Sequence, residues 1–163
     1  MISNQLIHDL RQIVGDAQVS VSRVETELYS YDASLAKGQP GVVVFPGNTN
    51  EAAQVVKLTR QAGLPFVPRG FGTNLSGGTV MVSGGVVICL SRLNRIIEIL
   101  PQRRCAIAQP GVTNLELQNA LAPLGFFYAP DPASQKVATL GGNVGENSGG
   151  PRCLKYGVTT NHI

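Results

Sequence analysis

Apolar residues Leu6, Ile7, Leu10, Ile13 and Val14 recur at the spacing of one helical face, and Gly15 follows them, so the chain is predicted to open with a short amphipathic helix stopped by glycine. The stretch after it, through ELYSYDASLAKGQPG, is polar and irregular; residues 1–40 read as a helix and a leader laid across a domain whose body starts near Gly41. There the pattern changes. Val42 to Phe45 form a continuous apolar run suited to a buried strand, and Asn48 with Glu51 has capping-box spacing. Ala52, Val55, Val56, Thr59 and Ala62 give a helix one packed face before Gly63, and Leu64 to Val67 return the chain to the sheet. This is the signature of a β-α-β unit.

Further strands are predicted from Val86 to Leu90, Arg95 to Ile99 and Arg104 to Ala108, the last two joined by a turn at LPQR. Thr113 and Glu116 then repeat the capping box, and Leu117, Ala120 and Leu121 line a helix that closes at Gly125. The pattern therefore gives two β/α layers in series, residues 41–100 and 101–163. A seam between such layers is a natural position for a long ligand.

Two glycine-dense segments interrupt this pattern. The first comprises Pro68, Arg69, Gly70, Phe71, Gly72, Thr73, Asn74, Leu75, Ser76, Gly77 and Gly78, leaving the end of the second strand of the β-α-β unit. Glycines without a Cβ can adopt left-handed backbone and let main-chain N–H groups converge on a diphosphate, with Arg69 either adding charge or pairing with an acid elsewhere. It is no Walker loop, because the terminal Gly-Lys-Ser/Thr is missing, and no Rossmann fingerprint, because the spacing is wrong and a strand comes next. A structural Ω-loop using glycine only for turns is the competing reading.

The second segment begins where Gln109, Pro110 and Gly111 end a strand directly before a capped helix. In APDPASQ, Asp131 and Ser134 read equally as ligand-facing groups or as parts of an Asx turn, on a path stiffened by Pro130 and Pro132. Beyond Thr139, Gly141, Gly142, Gly145, Gly149 and Gly150 alternate with Asn143, Asn147 and Ser148. That run is too glycine-rich for an efficient helix, yet Leu140 and Val144 make it too patterned for a free linker, so it is expected to thread past a ligand. Lys155 and Tyr156 face either phosphate or the domain surface.

Composition narrows the class. With 14% charged residues and a net charge of +3, the chain lacks the dense basic field of a nucleic-acid binder. No apolar run reaches membrane-spanning length, and the start carries charges inside its apolar pattern, unlike a secretory signal. Cys89, Cys105 and Cys153 form no CxxC pair, so they give no disulfide framework and no zinc or iron–sulfur site; reduced thiols point to a cytoplasmic protein. His8 and His162 read as surface residues, and no metal ligands are expected.

Taken in order, PRGFGTNLSGG, VICLSRLNRIIEI, AIAQPGVTNLELQNALAPLGFFYAPDPASQ and TLGGNVGENSGGPRCLKYGVTTNH resemble the FAD-binding (PCMH-type) domain of the vanillyl-alcohol oxidase class. More narrowly they are similar to the group formed by D-lactate dehydrogenase and the FAD-linked subunit of glycolate oxidase. The resemblance covers the chain from Gly41 onward. It implies an α+β fold of two small α/β subdomains, the second incomplete, with FAD between them. Residues 68–78 would lie around the pyrophosphate, and Pro110, Gly111, Asp131, Ser134, Thr139, Gly142, Asn143, Asn147, Gly149, Gly150, Tyr156 and Gly157 would match further cofactor-lining positions. Some members attach flavin through a histidine; neither histidine here lies in such a motif, so FAD is expected to be non-covalent.

The resemblance further implies a parent enzyme that oxidises a small 2-hydroxy acid, of the glycolate or D-lactate type, to the 2-oxo acid. The family's substrate-binding cap and acid/base histidines lie beyond the point matched by Ile163, so no catalytic residue is assigned here. The chain is expected to be a fragment, or one product of a split or truncated gene, inactive alone. Other oxidase subunits or a complementary C-terminal chain are the partners this points to, and any membrane association of the parent would run through them. Two alternatives stay open: a flavin oxidoreductase of the same superfamily acting on an aryl alcohol, a sugar lactone or an ether lipid precursor, and a non-catalytic assembly module.

Overall fold

A computed structural model of the chain describes residues 2–163. The fold is mixed α+β with two small sheets, as the sequence predicts. Two compact units divide the chain, one running through Arg92 and the other from Leu93 to Ile163.

In the first unit, α1 (Asn4–Val14) starts where Ser3 Oγ accepts the Leu6 N–H and stops at Gly15, whose φ of +91° few other residues adopt. After it come β1 (Val19–Ser20), α2 (Arg23–Glu27), β2 (Val42–Val44), α3 (Thr49–Gln61), β3 (Phe66–Arg69) and β4 (Val86–Cys89). The strand order is β1-β2-β4-β3, with β1 antiparallel and the others parallel. The β-α-β unit is therefore present but opened by one strand: β4 lies between β2 and β3, its Val86 in register with both Val42 and Phe66.

Both faces of the central strands are covered, which is why they read as unbroken apolar runs. Val42, Val44, Val86 and Ile88 pack with Leu6, Leu10 and Val14 of α1 and Val55 of α3, while Val43, Val87 and Cys89 pack with Met81 on the other face.

The stretch that reads as polar and irregular holds both β1 and α2, and backbone bonds fix the segment between α2 and β2. Gly38 N–H donates to Ser30 O (2.7 Å), Gln39 N–H to Met81 O (2.8 Å), Gly84 N–H to Gln39 O (2.8 Å) and Gly41 N–H to Gly85 O (2.9 Å). Bonds between main-chain groups leave no side-chain period, so the sequence carries no sign that this segment is the bed on which the connection from β3 to β4 rests.

The second unit opens with a hairpin of β5 (Ile96–Leu100) and β6 (Cys105–Ala108), joined through a 3₁₀ turn after which Arg104 takes φ +53°. A reciprocal capping box of Thr113 and Glu116 begins α4 (Asn114–Leu121). Val112, Leu117 and Leu121 form the core against Ile96, Ile99, Phe126 and Leu140. Next come α5 (Leu140–Glu146) and α6 (Cys153–Tyr156).

The helix α5, of sequence LGGNVGE, corrects the expectation of a non-helical run. Intrinsic propensity disfavours it, but tertiary contacts override that. Thr139 Oγ1 caps the Gly142 N–H at 3.2 Å, and Asn147 ends the helix in left-handed backbone at φ +48°. Gly141 lies so close to Pro110 that a Cβ would stand 2.7 Å from the proline Cβ, so the glycine there is required by packing.

Candidate functional site

The first glycine segment starts at the C-terminal end of the parallel strand β3, and Gly72 and Gly77 take φ of +70° and +76°. Among the described residues, no acceptor in the chain lies within hydrogen-bonding reach of the backbone N–H groups from Gly70 to Leu75. Consecutive main-chain donors without internal partners suit an anionic ligand. Phe71 and Leu75 are exposed, whereas Pro68 at the strand end is held in register with Ile88.

Arg69 does not stand in solvent. It is 6% exposed, its guanidinium lies 5.5 Å from the centroid of the Tyr29 ring, and Nη1 makes a long 3.5 Å contact to Thr79 Oγ1. Thr79 Oγ1 donates to Asn74 Oδ1 (3.0 Å), and Asn74 Nδ2 donates to Asp32 Oδ2 (2.6 Å). The acid that the sequence leaves open as a partner for Arg69 is thus Asp32, reached through two polar side chains. Asp32 Oδ1 also accepts the Ser34 N–H at 2.8 Å. Burial pushes this carboxyl up, but the bonds from Ser34 and Asn74 and the nearby Arg69 guanidinium outweigh it and hold the group below the ordinary carboxylate range. Ser76 Oγ accepts the Gly78 N–H (3.2 Å), and a Cβ at Gly77 would stand 3.5 Å from that of Ala36.

Beside the loop, Leu28, Tyr29, Arg69, Gly70, Phe71, Cys89 and Ser91 line a cleft of about 220 Å³. Burial, reinforced by Cys89, raises the Tyr29 hydroxyl above its usual range despite Arg69. Tyr29 and Asp32 both come from the leader, where sequence reasoning assigns no site. The signal that could have found Asp32 is its Asx-turn spacing to Ser34.

In the second unit the sequence-predicted positions divide by what their side chains already bind. Thr139 and Asn143 are buried, and Asn143 Nδ2 donates a short bond to Asn114 Oδ1 while Asn114 Nδ2 donates to Pro130 O (2.8 Å). Asn147 Oδ1 accepts from both the N–H and the hydroxyl of Thr160 (3.0 and 2.7 Å). Asp131 accepts the Arg152 guanidinium at 3.5 Å, and its N–H donates to Gly149 O (3.1 Å). Pro110 O accepts the Gly141 N–H (2.8 Å), and the Gly111 N–H donates to Leu93 O (2.7 Å). These groups shape the loops. Gly150 has no room for a Cβ beside Asp131, nor Gly157 beside Asn161. Gly142 is exposed, Tyr156 stacks edge-on against Phe127, and among the described residues the Ser134 hydroxyl has no partner in the chain. Burial raises Tyr128, although hydrogen bonds with Thr159 and Asn143 act the other way.

Asn114 is the residue that sequence reasoning missed here: a buried amide at the first turn of α4 that holds both α5 and the Pro130 turn. Replacing it by alanine removes the acceptor of the Asn143 Nδ2 bond and the donor to the Pro130 carbonyl, both inside the core. The expected cost is about 2–3 kcal/mol of stability, read from urea unfolding of the second unit. An unchanged midpoint would remove the amide pair from the account.

Three comparisons bear on this geometry. The FAD binding domain family model matches residues 40–163. Glycolate oxidase subunit GlcD of Bacillus subtilis (strain 168) is 41% identical over 164 residues, covering 100% of this chain and 35% of its own length. D-lactate dehydrogenase of Anaerostipes hadrus is 37% identical over 164 residues, covering 99% and 34%. The chain therefore spans about a third of the length of these curated relatives. Among solved structures, an alkyldihydroxyacetonephosphate synthase superposes with a TM-score of 0.85 over 97% of this chain and 33% of its own, at 22% identity, a likeness of fold alone. The unpartnered amides of residues 70–75 fit the diphosphate of such a cofactor, and with the family model matched across both units, this chain belongs to the FAD binding domain family.

Proposed function

We propose that this chain is the FAD-binding portion of a flavin-dependent oxidoreductase that oxidises a small 2-hydroxy acid, of the glycolate or D-lactate type, to the 2-oxo acid. The observation that carries the reading is the run of backbone donors from Gly70 to Leu75, without acceptors among the described residues, in a chain of this family. When bound, the flavin supplies a two-electron acceptor. The chain's own residues hold and orient it. Residues 68–78 would embrace the pyrophosphate by main chain, and Pro110, Gly111, Asp131, Ser134, Thr139, Gly142, Asn143, Asn147, Gly149, Gly150, Tyr156 and Gly157 are proposed as further cofactor-lining positions. Of that second set, Ser134 has a hydroxyl to offer a ligand, and the amides of buried Asn143 and exposed Asn147 act by fixing the backbone.

The substrate class rests on the names of the two relatives, a glycolate oxidase subunit and a D-lactate dehydrogenase. The ether-lipid alternative rests on a likeness of fold alone. Non-covalent attachment is supported by the two histidines: His8 lies on α1, and His162 Nε2 lies 3.0 Å from Tyr156 O. Other oxidase subunits as partners are supported by the printed name of the first relative, a glycolate oxidase subunit.

The test is a visible spectrum of the purified chain after mixing with FAD and desalting. Retained flavin close to one per chain, released into solution by denaturation, is the expected result. A colourless protein would remove the reading for this chain, and flavin that stays with the denatured protein would overturn the non-covalent assignment.

A further inference from the structure

The glycine loop is held from outside itself. Asp32 stands in the segment between α2 and β2, and its Oδ2 takes the Asn74 amide at 2.6 Å. Asn74 in turn takes the Thr79 hydroxyl at 3.0 Å, and Thr79 faces the Arg69 guanidinium at 3.5 Å. Donors and acceptors run one way along this chain, from the cation to the anion, so each bond polarises the next. Its members come from three places: the strand end before the loop, the middle of the loop and its far arm, all converging on one carboxylate. Ser34 N–H on Oδ1 fixes that carboxylate in turn.

The placement is costly for an anion site. A carboxylate only 7% exposed, held below the usual carboxylate range and therefore ionised at neutral pH, repels a neighbouring diphosphate. Its presence there is accounted for by order: without it Asn74, in the middle of the loop, loses its bond to the segment between α2 and β2, and the neighbouring amides pay their conformational entropy on binding. We infer that Asp32 is the positioning residue of the cofactor loop, its carboxylate clamping Asn74 and, through Thr79, Arg69, so that the Gly70–Leu75 amides stand ordered before a diphosphate arrives. The inference rests on the reading of that loop as the diphosphate cradle.

Two explanations of Asp32 predict opposite signs. As a mere nearby charge, its removal in Asp32→Asn relieves repulsion and tightens anion binding. As a clamp, the same change leaves one acceptor where two stood, so an NH2 group meets either the Asn74 amide or the Ser34 N–H, and binding weakens. The experiment compares wild type, Asp32→Asn and Asn74→Ala in two measurements. One is the ¹⁵N heteronuclear NOE of the ligand-free loop amides, which reports order on the picosecond to nanosecond scale. The other is titration with ADP and with FAD. The expected result is a loop as rigid as β4 in the wild type and mobile in both variants, with about tenfold or greater loss of affinity for either ligand. If Asp32→Asn does not fold, Asn74→Ala carries both measurements, since it removes the other end of the same bond. A loop that stays rigid in the variants, or affinity unchanged or increased, overturns the clamp. A wild-type chain that takes up neither ligand while its loop order responds to both substitutions supports the clamp and tells against the cradle reading.

Discussion

Gly72→Val is expected to abolish flavin binding while leaving the first unit folded. At φ +70° any side chain is strained by about 1–2 kcal/mol. The larger effect is steric: a Cβ at Gly72 would stand 2.3 Å from Arg69 Nη2 and 2.7 Å from Cζ. The far end of an arginine ordinarily moves aside, but this one is 6% exposed, rests on the Tyr29 ring and heads the chain of bonds through Thr79 and Asn74. The loop must therefore lift off its own support. Affinity for FAD is expected to fall by roughly 100-fold or more, equivalent to about 3 kcal/mol. Flavin titration measures it, and far-ultraviolet circular dichroism checks that the sheet survives. Unchanged flavin occupancy would place the cradle elsewhere.

Gly150→Ala is expected to have a large effect on stability, for a different physical reason. The added Cβ would lie 2.0 Å from the Asp131 carbonyl oxygen and 2.4 Å from its carbon, so the obstacle is backbone, and φ there is +143°. The two strands of chain must separate, which breaks the Asp131 N–H to Gly149 O bond and strains the Arg152 contact. A loss of about 3 kcal/mol or more is expected, enough to lower the melting temperature of a unit this size by roughly 10–20 °C. Gly145→Ala is the control: it sits in α5 with open space around the Cβ position, and gains helix propensity. Equal melting temperatures for the two variants would refute the close approach.

How much of this was legible in the chain depends on whether the determining contact is local. The starts of α3 and α4 are written within four residues, by Asn48 with Glu51 and Thr113 with Glu116, and both appear where the spacing puts them. The buried strands are legible for the same reason. The insertion of β4 between β2 and β3 is not, because an all-apolar strand can pair on either side and says nothing about its neighbours. Asp32 looks like any exposed acid in a polar stretch until Asn74, far along the chain, supplies its partner. Asn143 shows the converse. Its amide is a plausible ligand-facing group in sequence, and in the structure it faces Asn114 inside the core. The helical state of LGGNVGE was hidden because three glycines argue against it while the caps that hold it, Thr139 and Asn147, could equally belong to turns.

The crossing from β3 to β4 has a consequence for how such a chain can change over time. Adjacent parallel strands require a connection of about a dozen residues or more, usually built as a helix. Here residues 70–85 make that crossing with no helix. Residues 70–85 are thus also the connection that delivers β4 to its slot between β2 and β3, so deletions that shorten them would unseat β4. Side chains along this connection are free to vary, but its span is not: a chain that keeps this strand order keeps the outline of the loop, whatever the loop holds.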